Sequence, residues 1–140
     1  MPQYLTRQEI FDKAVGGVIA QGGASIEYED GAYDYGAPDC RYRAGPTGTE
    51  RACGIGQLIH DEHYSSDLEG MPVNCVEAPF RYVLVNIDID HDRDFLACLQ
   101  NCHDDATRDA RSDTDFLHRF RSGAKGLAAN YNLSTEILDA

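Results

Sequence analysis

The sequence lacks any apolar run long enough to cross a membrane. A membrane-spanning helix needs about 18 or more consecutive apolar residues, and no stretch of the 140 residues approaches that length. The first residues, MPQYLTRQEIF, contain neither the basic start nor the apolar stretch of a secretion signal. We therefore expect a single domain, covering 1–140, in the cytoplasm.

The familiar signatures of catalysis and nucleotide binding are missing as well. The chain contains no GxSxG, no P-loop and no GxGxxG. Its five cysteines, an odd number without a secretion signal, argue against a disulfide framework. We expect a protein that is not an enzyme and that carries no cofactor.

Basic residues are scarce. Twelve Lys and Arg stand against 24 Asp and Glu, which gives a formal net charge of −12. Nucleic acid phosphates would be repelled by such a chain, so direct binding to DNA or RNA is not expected. The charge favours basic partners, although solubility alone also explains many acidic proteins.

Three helices are predicted from apolar spacing and capping residues. They cover about 7–21, 93–106 and 114–131. The predicted start and stop residues are Thr6 with Glu9 and then Gly22 for the first helix, Asp92 or a neighbour for the second, and Ser112 or Asp113 and then Asn132 for the third.

Strands are predicted in the middle of the chain. The alternation in FRYVLVNIDI (80–89) favours a strand, and the beginning of a helix is the alternative. Two short strands joined by a turn are expected within 40–43 and 50–59, and the second passes into a short helix or tight bend. Residues 24–39 are rich in Gly, Tyr and acidic residues and predict an acidic loop or hairpin. The predicted fold class is α+β, mainly helical, with a small antiparallel sheet.

His60-Asp61-Glu62-His63 is the densest cluster of residue types that bind metals. Its two histidines are three residues apart, whereas the zinc-protease motif needs a spacing of four. A solvated turn is the favoured interpretation. A small zinc protein or metal-dependent hydrolase that uses His60, His63 and nearby Asp or Cys is the alternative hypothesis for function.

Two further groups of possible ligands are weaker. Cys98, Cys102 and His103 place two thiols on one helix face, but a buried apolar stripe is favoured over a zinc site. The alternating aspartates from Asp88 to Asp94 resemble a calcium loop, yet the Gly and Glu that such a loop requires are absent. We therefore assign no metal ligands.

Four strings carry a resemblance to a known group of proteins: CRYRAGPTG, ACGIGQLIHDEHYSSDLEGMPV, DFLACLQNCHDDA and FLHRFRSGAKGLAANYNL. Together they resemble a family of small uncharacterised proteins of phages and bacterial genomes. The resemblance implies a phage origin and the cytoplasm of a bacterial host. It implies no activity and no catalytic residues.

A phage origin gives the acidic charge a specific interpretation. Carboxylates on a rigid surface imitate DNA phosphates and are steered to a basic groove. The leading hypothesis is an inhibitor that mimics DNA and occupies the DNA groove of a host enzyme such as DNA gyrase, with a homodimer as a way to lengthen the acidic face. The predicted partner-binding residues are Glu27, Glu29, Asp30, Asp34, Asp39, Asp61, Glu62, Asp67 and Glu69.

Overall fold

A computed structural model describes residues 4–23, 26–27, 39–40, 43–44, 51–59, 84 and 86–139. Its main elements are three α-helices. They are α1 (Arg7–Gln21), α2 (Ile89–Asp109) and α3 (Asp113–Tyr131). Two short 3-10 helices, Gly56–Leu58 and Glu136–Asp139, pack against α1.

The first helix begins and ends where the sequence predicts. The Thr6 hydroxyl accepts a hydrogen bond from the Glu9 N–H at 3.1 Å, and the Glu9 carboxylate accepts one from the Thr6 N–H at 2.9 Å. These two bonds satisfy donors that a helix N-terminus otherwise leaves free. Gly22 ends α1 in the left-handed region, with φ of 87°. The predicted capping box is confirmed.

The second helix is longer than predicted at its N-terminus. It begins at Ile89 rather than 93, and its cap is Asp88, whose carboxylate accepts from the His91 N–H at 3.3 Å. Carboxylates in a first turn interact favourably with the positive end of the helix dipole. The aspartates before 93 therefore extend the helix backwards.

The third helix agrees closely with its prediction. The Ser112 hydroxyl caps it by accepting from the Asp115 N–H at 3.1 Å. Asn132 ends it with φ of 55°, and its N–H donates to the carbonyls of Ala128 and Ala129. Asparagine tolerates this left-handed backbone better than most residues, which makes it a stop signal.

The predicted small antiparallel sheet is wrong. The α-helices and 3-10 helices together account for 76% of the residues whose side chains the structure describes. Extended pairing in the described part of the chain is limited to two separate two-residue pairs, Ile26–Glu27 with Asp39–Cys40 and Arg43–Ala44 with Arg51–Ala52. Strands of globular proteins usually have three to ten residues. Two-residue pairs of this kind do not build a sheet.

The predicted strand at 80–89 is wrong over its described end, and residues 80–83 and 85 lie outside the described residues. Ile87 lies in a turn, where its N–H donates to the Leu84 carbonyl at 3.2 Å, and Ile89 already belongs to α2. Both isoleucines are buried, as the apolar pattern predicts, but neither belongs to a strand. A run of alternating residues next to a strong N-cap fits a turn and a helix start as well as a strand.

The core lies where the three helices meet. α2 and α3 are joined by a three-residue connection, 110–112, and pack along each other. α1 packs one side of itself against α2 and against the Gly56–Leu58 turn. The fully buried residues with the largest side chains are Ile10, Phe11, Ile55, Leu84, Phe95, Leu96, Leu99, His103, Phe116 and Phe120.

The adjacent glycines in α1 allow close packing on two sides. A Cβ at Gly17 would overlap with the Gln57 side chain, and a Cβ at Gly16 would lie 3.0 Å from Ile137. Ser134 fixes the second approach, because its N–H donates to Gln8 Oε1 at 2.7 Å and its carbonyl accepts from Gln8 Nε2 at 3.2 Å. Each glycine costs about 1 kcal/mol of helix propensity, and the close contacts account for its use.

We expect the same substitution to have opposite effects at two helix glycines. Gly126→Ala meets no atom within 4 Å and should raise the free energy of unfolding by about 0.5–1 kcal/mol. Gly17→Ala must displace Gln57 and break its 2.9 Å hydrogen bond to Gln21, so that gain should vanish or reverse. Urea denaturation of both variants measures the difference. Equal stabilisation by the two would contradict the close contact at Gly17.

Candidate interaction surface

Most of the predicted partner-binding acids lie outside the described residues. Glu29, Asp30, Asp34, Asp61, Glu62, Asp67 and Glu69 are in this group, as are His60 and His63 of the metal alternative. Glu27 and Asp39 are placed at the level of the backbone. They are register partners in the antiparallel pair Ile26–Glu27 with Asp39–Cys40. The chain therefore brings together two acids that are twelve residues apart in the sequence.

A row of exposed aspartates runs along α2. Asp90, Asp94, Asp105 and Asp109 are all exposed, and we call these four residues the acidic stripe. At 100° and 1.5 Å per residue they fall within a sector of about 100° and extend over about 28 Å. This row is not among the predicted partner-binding residues, although the repeated i, i+4 spacing of its aspartates is visible in the sequence.

Arginines of the same helix do not cancel the acidic stripe. Arg93 lies 3.6 Å from Asp90, and Arg108 pairs with Asp105. These are exposed pairs one turn apart, a class that contributes about 0–1 kcal/mol and is screened by salt. The carboxylates therefore remain accessible to a partner.

Asp92, in the same run of aspartates, has a different role. It is only 3% exposed, and its Oδ1 accepts from Arg7 Nε at 2.7 Å and lies 2.8 Å from His91 Nδ1. The Arg7 guanidinium also lies 5.1 Å from the ring centroid of Tyr131 and 6.0 Å from that of Phe95. This Arg7–Asp92 pair joins the start of α1 to α2 and to the end of α3. It is a structural contact and not part of the exposed surface.

An open groove of about 730 Å³ lies between α2 and α3. Its floor is made of small or apolar side chains, which include Cys98, Cys102, Ala106 and Leu127. Its rim carries three carboxylates and one arginine: Asp105, Asp109, Asp115 and Arg119. Gly123 and Gly126 of α3 also line it, and the lack of side chains there keeps the groove open.

The Cys102 thiol of this groove is neutral at physiological pH. Burial first, and then the nearby Cys98 and Asp105, together raise its pKa to about 12. A thiol in this state is a poor nucleophile and a poor metal ligand. It acts as a small apolar group on the floor of the groove.

His103, the third residue of the predicted thiol cluster, turns into the core. It is fully buried, packs edge-on against Phe116 with ring centroids 5.3 Å apart, and its Nδ1 lies 3.1 Å from Asp104 Oδ1. Within the described ranges, no group of three or more His, Cys, Asp or Glu is arranged to hold a metal ion. His103 thus belongs to the core, whereas Cys98 and Cys102 line the groove.

Comparison with known proteins finds no matching family model, no matching curated protein and no matching solved structure. Among the described helices, none combines the length and the apolar character that a bilayer span requires.

We expect Arg7→Ala to be among the most destabilising arginine substitutions in the chain. It leaves the buried Asp92 carboxylate without its closest donor, which should lower the free energy of unfolding by about 1.5–3 kcal/mol. Arg108→Ala is the matched control, since it removes an arginine from a pair whose two side chains are 65% and 63% exposed and should change stability little. Thermal unfolding of both variants gives the comparison. A loss no larger for Arg7→Ala than for Arg108→Ala would exclude this role for the pair.

Alkylation of Cys102 should be slow and strongly pH dependent. Its pKa of about 12 compares with about 8.5 for an unfolded thiol, so the folded thiol stays protonated at pH 8. The folded chain favours the neutral form of the Cys102 thiol. The contribution of this thiol to the free energy of unfolding is therefore complete below pH 8.5 and is lost as the pH rises towards 12. Iodoacetamide labelling with peptide mapping, in buffer and in urea, should show a rate at least about tenfold lower in the folded chain. Equal rates at pH 8 would disprove the burial of this thiol.

Proposed function

We propose that this chain is an acidic interaction protein that inhibits a bacterial DNA-processing enzyme by occupying its basic DNA groove. The observation that carries the proposal is the acidic stripe, a row of four exposed carboxylates about 28 Å long on one helix. A rigid helix holds the carboxylates in fixed positions, so they replace phosphates without a further ordering cost.

The stripe alone is too weakly charged to replace DNA. B-DNA of the same length carries about 16 charges, at one per 1.7 Å of axis. The remaining charge has to come from elsewhere in the chain, and residues 24–85 contain eleven acidic and four basic residues. The α1 helix and its cap contribute almost none, with two acidic and two basic residues over 4–23. In this proposal the stripe and the acids of 27–39 and 60–69 act together.

Long-range attraction would then govern how fast the complex forms. A chain of net charge −12 is drawn towards a basic groove, which raises the association rate at low salt and lowers it as salt is added. DNA competes for the same groove, so duplex DNA should displace the protein. Loss of binding in salt without competition by DNA would instead indicate a basic partner of another kind.

DNA gyrase is the target we would test first. Its DNA-binding saddle is broad and basic, and phage inhibitors of this general type act on it. A homodimer of the chain would lengthen the acidic face and match a long groove better than one copy. The choice of target rests on the resemblance to phage proteins and on charge, and a pull-down from bacterial lysate tests it without assuming gyrase.

Reversing charge on the stripe should weaken inhibition more than reversing it elsewhere. The double variant Asp94→Lys/Asp109→Lys should reduce inhibition of DNA supercoiling by gyrase at least about tenfold, through lost attraction and added repulsion at the groove. The double variant Glu136→Lys/Asp139→Lys is the control. It changes net charge equally at two exposed acids of the last 3-10 helix and should inhibit nearly as well as the original.

The same assay also tests the predicted acids of 27–39. A folded triple variant Glu27→Lys/Glu29→Lys/Asp30→Lys should lose inhibition, and full retention would remove these residues from the site. Equal loss in the stripe variant and in the Glu136/Asp139 control would mean that only net charge matters. A wild-type chain that inhibits no enzyme whose DNA groove it is offered would refute the function itself.

A further inference from the structure

The groove between α2 and α3 has the chemistry to hold one long cationic side chain. Its floor is small and apolar and its rim bears three carboxylates against one arginine. Arginine and lysine bury their methylene stems on apolar surface while the charged group stays at a polar edge. A volume of about 730 Å³ lies within the range of about 300–1,000 Å³ that is usual for small-ligand sites.

The rim carboxylates are not equally available. Asp115 accepts from Arg119 Nε at 3.1 Å and from the Arg111 N–H at 3.0 Å, and Asp105 pairs with Arg108. Asp109 is exposed, and within the described part of the chain it forms no ion pair. It is also the last residue of α2, where the helix dipole favours a positive charge. A cation entering the groove would therefore meet Asp109 first.

We propose that this groove receives an arginine side chain of the basic partner, with its stem on Cys102 and Ala106 and its guanidinium at Asp109. The inference rests on the proposed function for the identity of the partner, but the groove itself can be tested alone. Guanidinium is preferred over ammonium because two of its N–H groups can donate to the same carboxylate. It is also more weakly hydrated than ammonium. The site would add a shaped contact to an otherwise diffuse acidic surface.

Gly126 allows the groove to be filled without removing any charge. Its Cβ position has no atom within 4 Å, so Gly126→Leu should place a side chain in the groove. It should also strengthen α3, because leucine is a far better helix former than glycine. Gly126→Ala is the matched control with the same helix effect and little added volume.

The first experiment titrates the whole protein with Nα-acetylarginine amide and follows backbone amides by NMR. Saturable shifts at Cys102, Ala106 and Gly123 are expected, with affinity about threefold or more lower in Asp109→Asn and no saturation in Gly126→Leu. The Glu136→Gln variant, changed at an exposed acid outside the groove and the stripe, should bind as the original does. The citrulline counterpart, which is neutral, should not bind. Equal shifts with citrulline, or unchanged binding in Gly126→Leu, would overturn the proposal.

The second experiment places the same variants in the enzyme assay. Gly126→Leu should weaken inhibition about tenfold, and Gly126→Ala, which adds one methyl group, should weaken it much less. Full inhibition by Gly126→Leu, alongside loss of inhibition in Asp94→Lys/Asp109→Lys, would reject the groove as a partner contact and leave the proposed function standing. If the original chain inhibits no enzyme, the proposed function fails, and the arginine titration then decides the groove on its own.

Discussion

The ion pair between Arg7 and Asp92 is the constraint on which the arrangement of the helices depends. A carboxylate that is 3% exposed requires a donor, and Arg7 supplies one at 2.7 Å from 85 positions away in the sequence. The Arg7 side chain is itself partly exposed, but removing it leaves a buried carboxylate without its closest donor, which costs more than the pair contributes. The pair therefore acts mainly by selecting which helices pack together, and it adds less to the free energy of unfolding. Arg7 extends this control to α3 by lying over the Tyr131 ring.

This constraint also determines where the exposed acids of α2 lie. Asp92 must point inward to reach Arg7, and residues two positions away on a helix lie about 200° around its axis. Asp90 and Asp94 are therefore directed to the outside, where both are exposed. One run of alternating aspartates thus supplies a helix cap at Asp88, a buried ionic contact at Asp92 and one end of the acidic stripe. A calcium loop would need all of these carboxylates to converge on one point, which a helix prevents.

Local signals predicted the helices well because each depends on neighbouring residues. The capping box at Thr6 and the left-handed stop at Asn132 are contacts over three or four residues, and the sequence displays them directly. The pairing of Arg7 with Asp92 joins residues 85 positions apart, and no local pattern contains it. The strand predicted at 80–89 is wrong over its described end for a related reason: the alternation fits a strand and a helix beginning equally, and the N-cap at Asp88 selects the helix. The groove could not be predicted from local patterns, because it is formed by the absence of side chains at Gly123 and Gly126.

An acidic surface by itself does not select a partner. A negative surface attracts many basic proteins equally. At physiological salt, dissolved ions largely screen this attraction beyond a distance of about 8 Å. Specific recognition needs contacts whose strength depends on shape, so that the wrong partner leaves a polar group unpaired or a cavity unfilled. In the proposed complex the stripe would supply the long-range attraction, and the groove between α2 and α3 would supply the contact that depends on shape. Asp105 and Asp109 belong both to the stripe and to the groove between α2 and α3. A partner attracted by the stripe would therefore bring its cations directly to the groove that can discriminate between them.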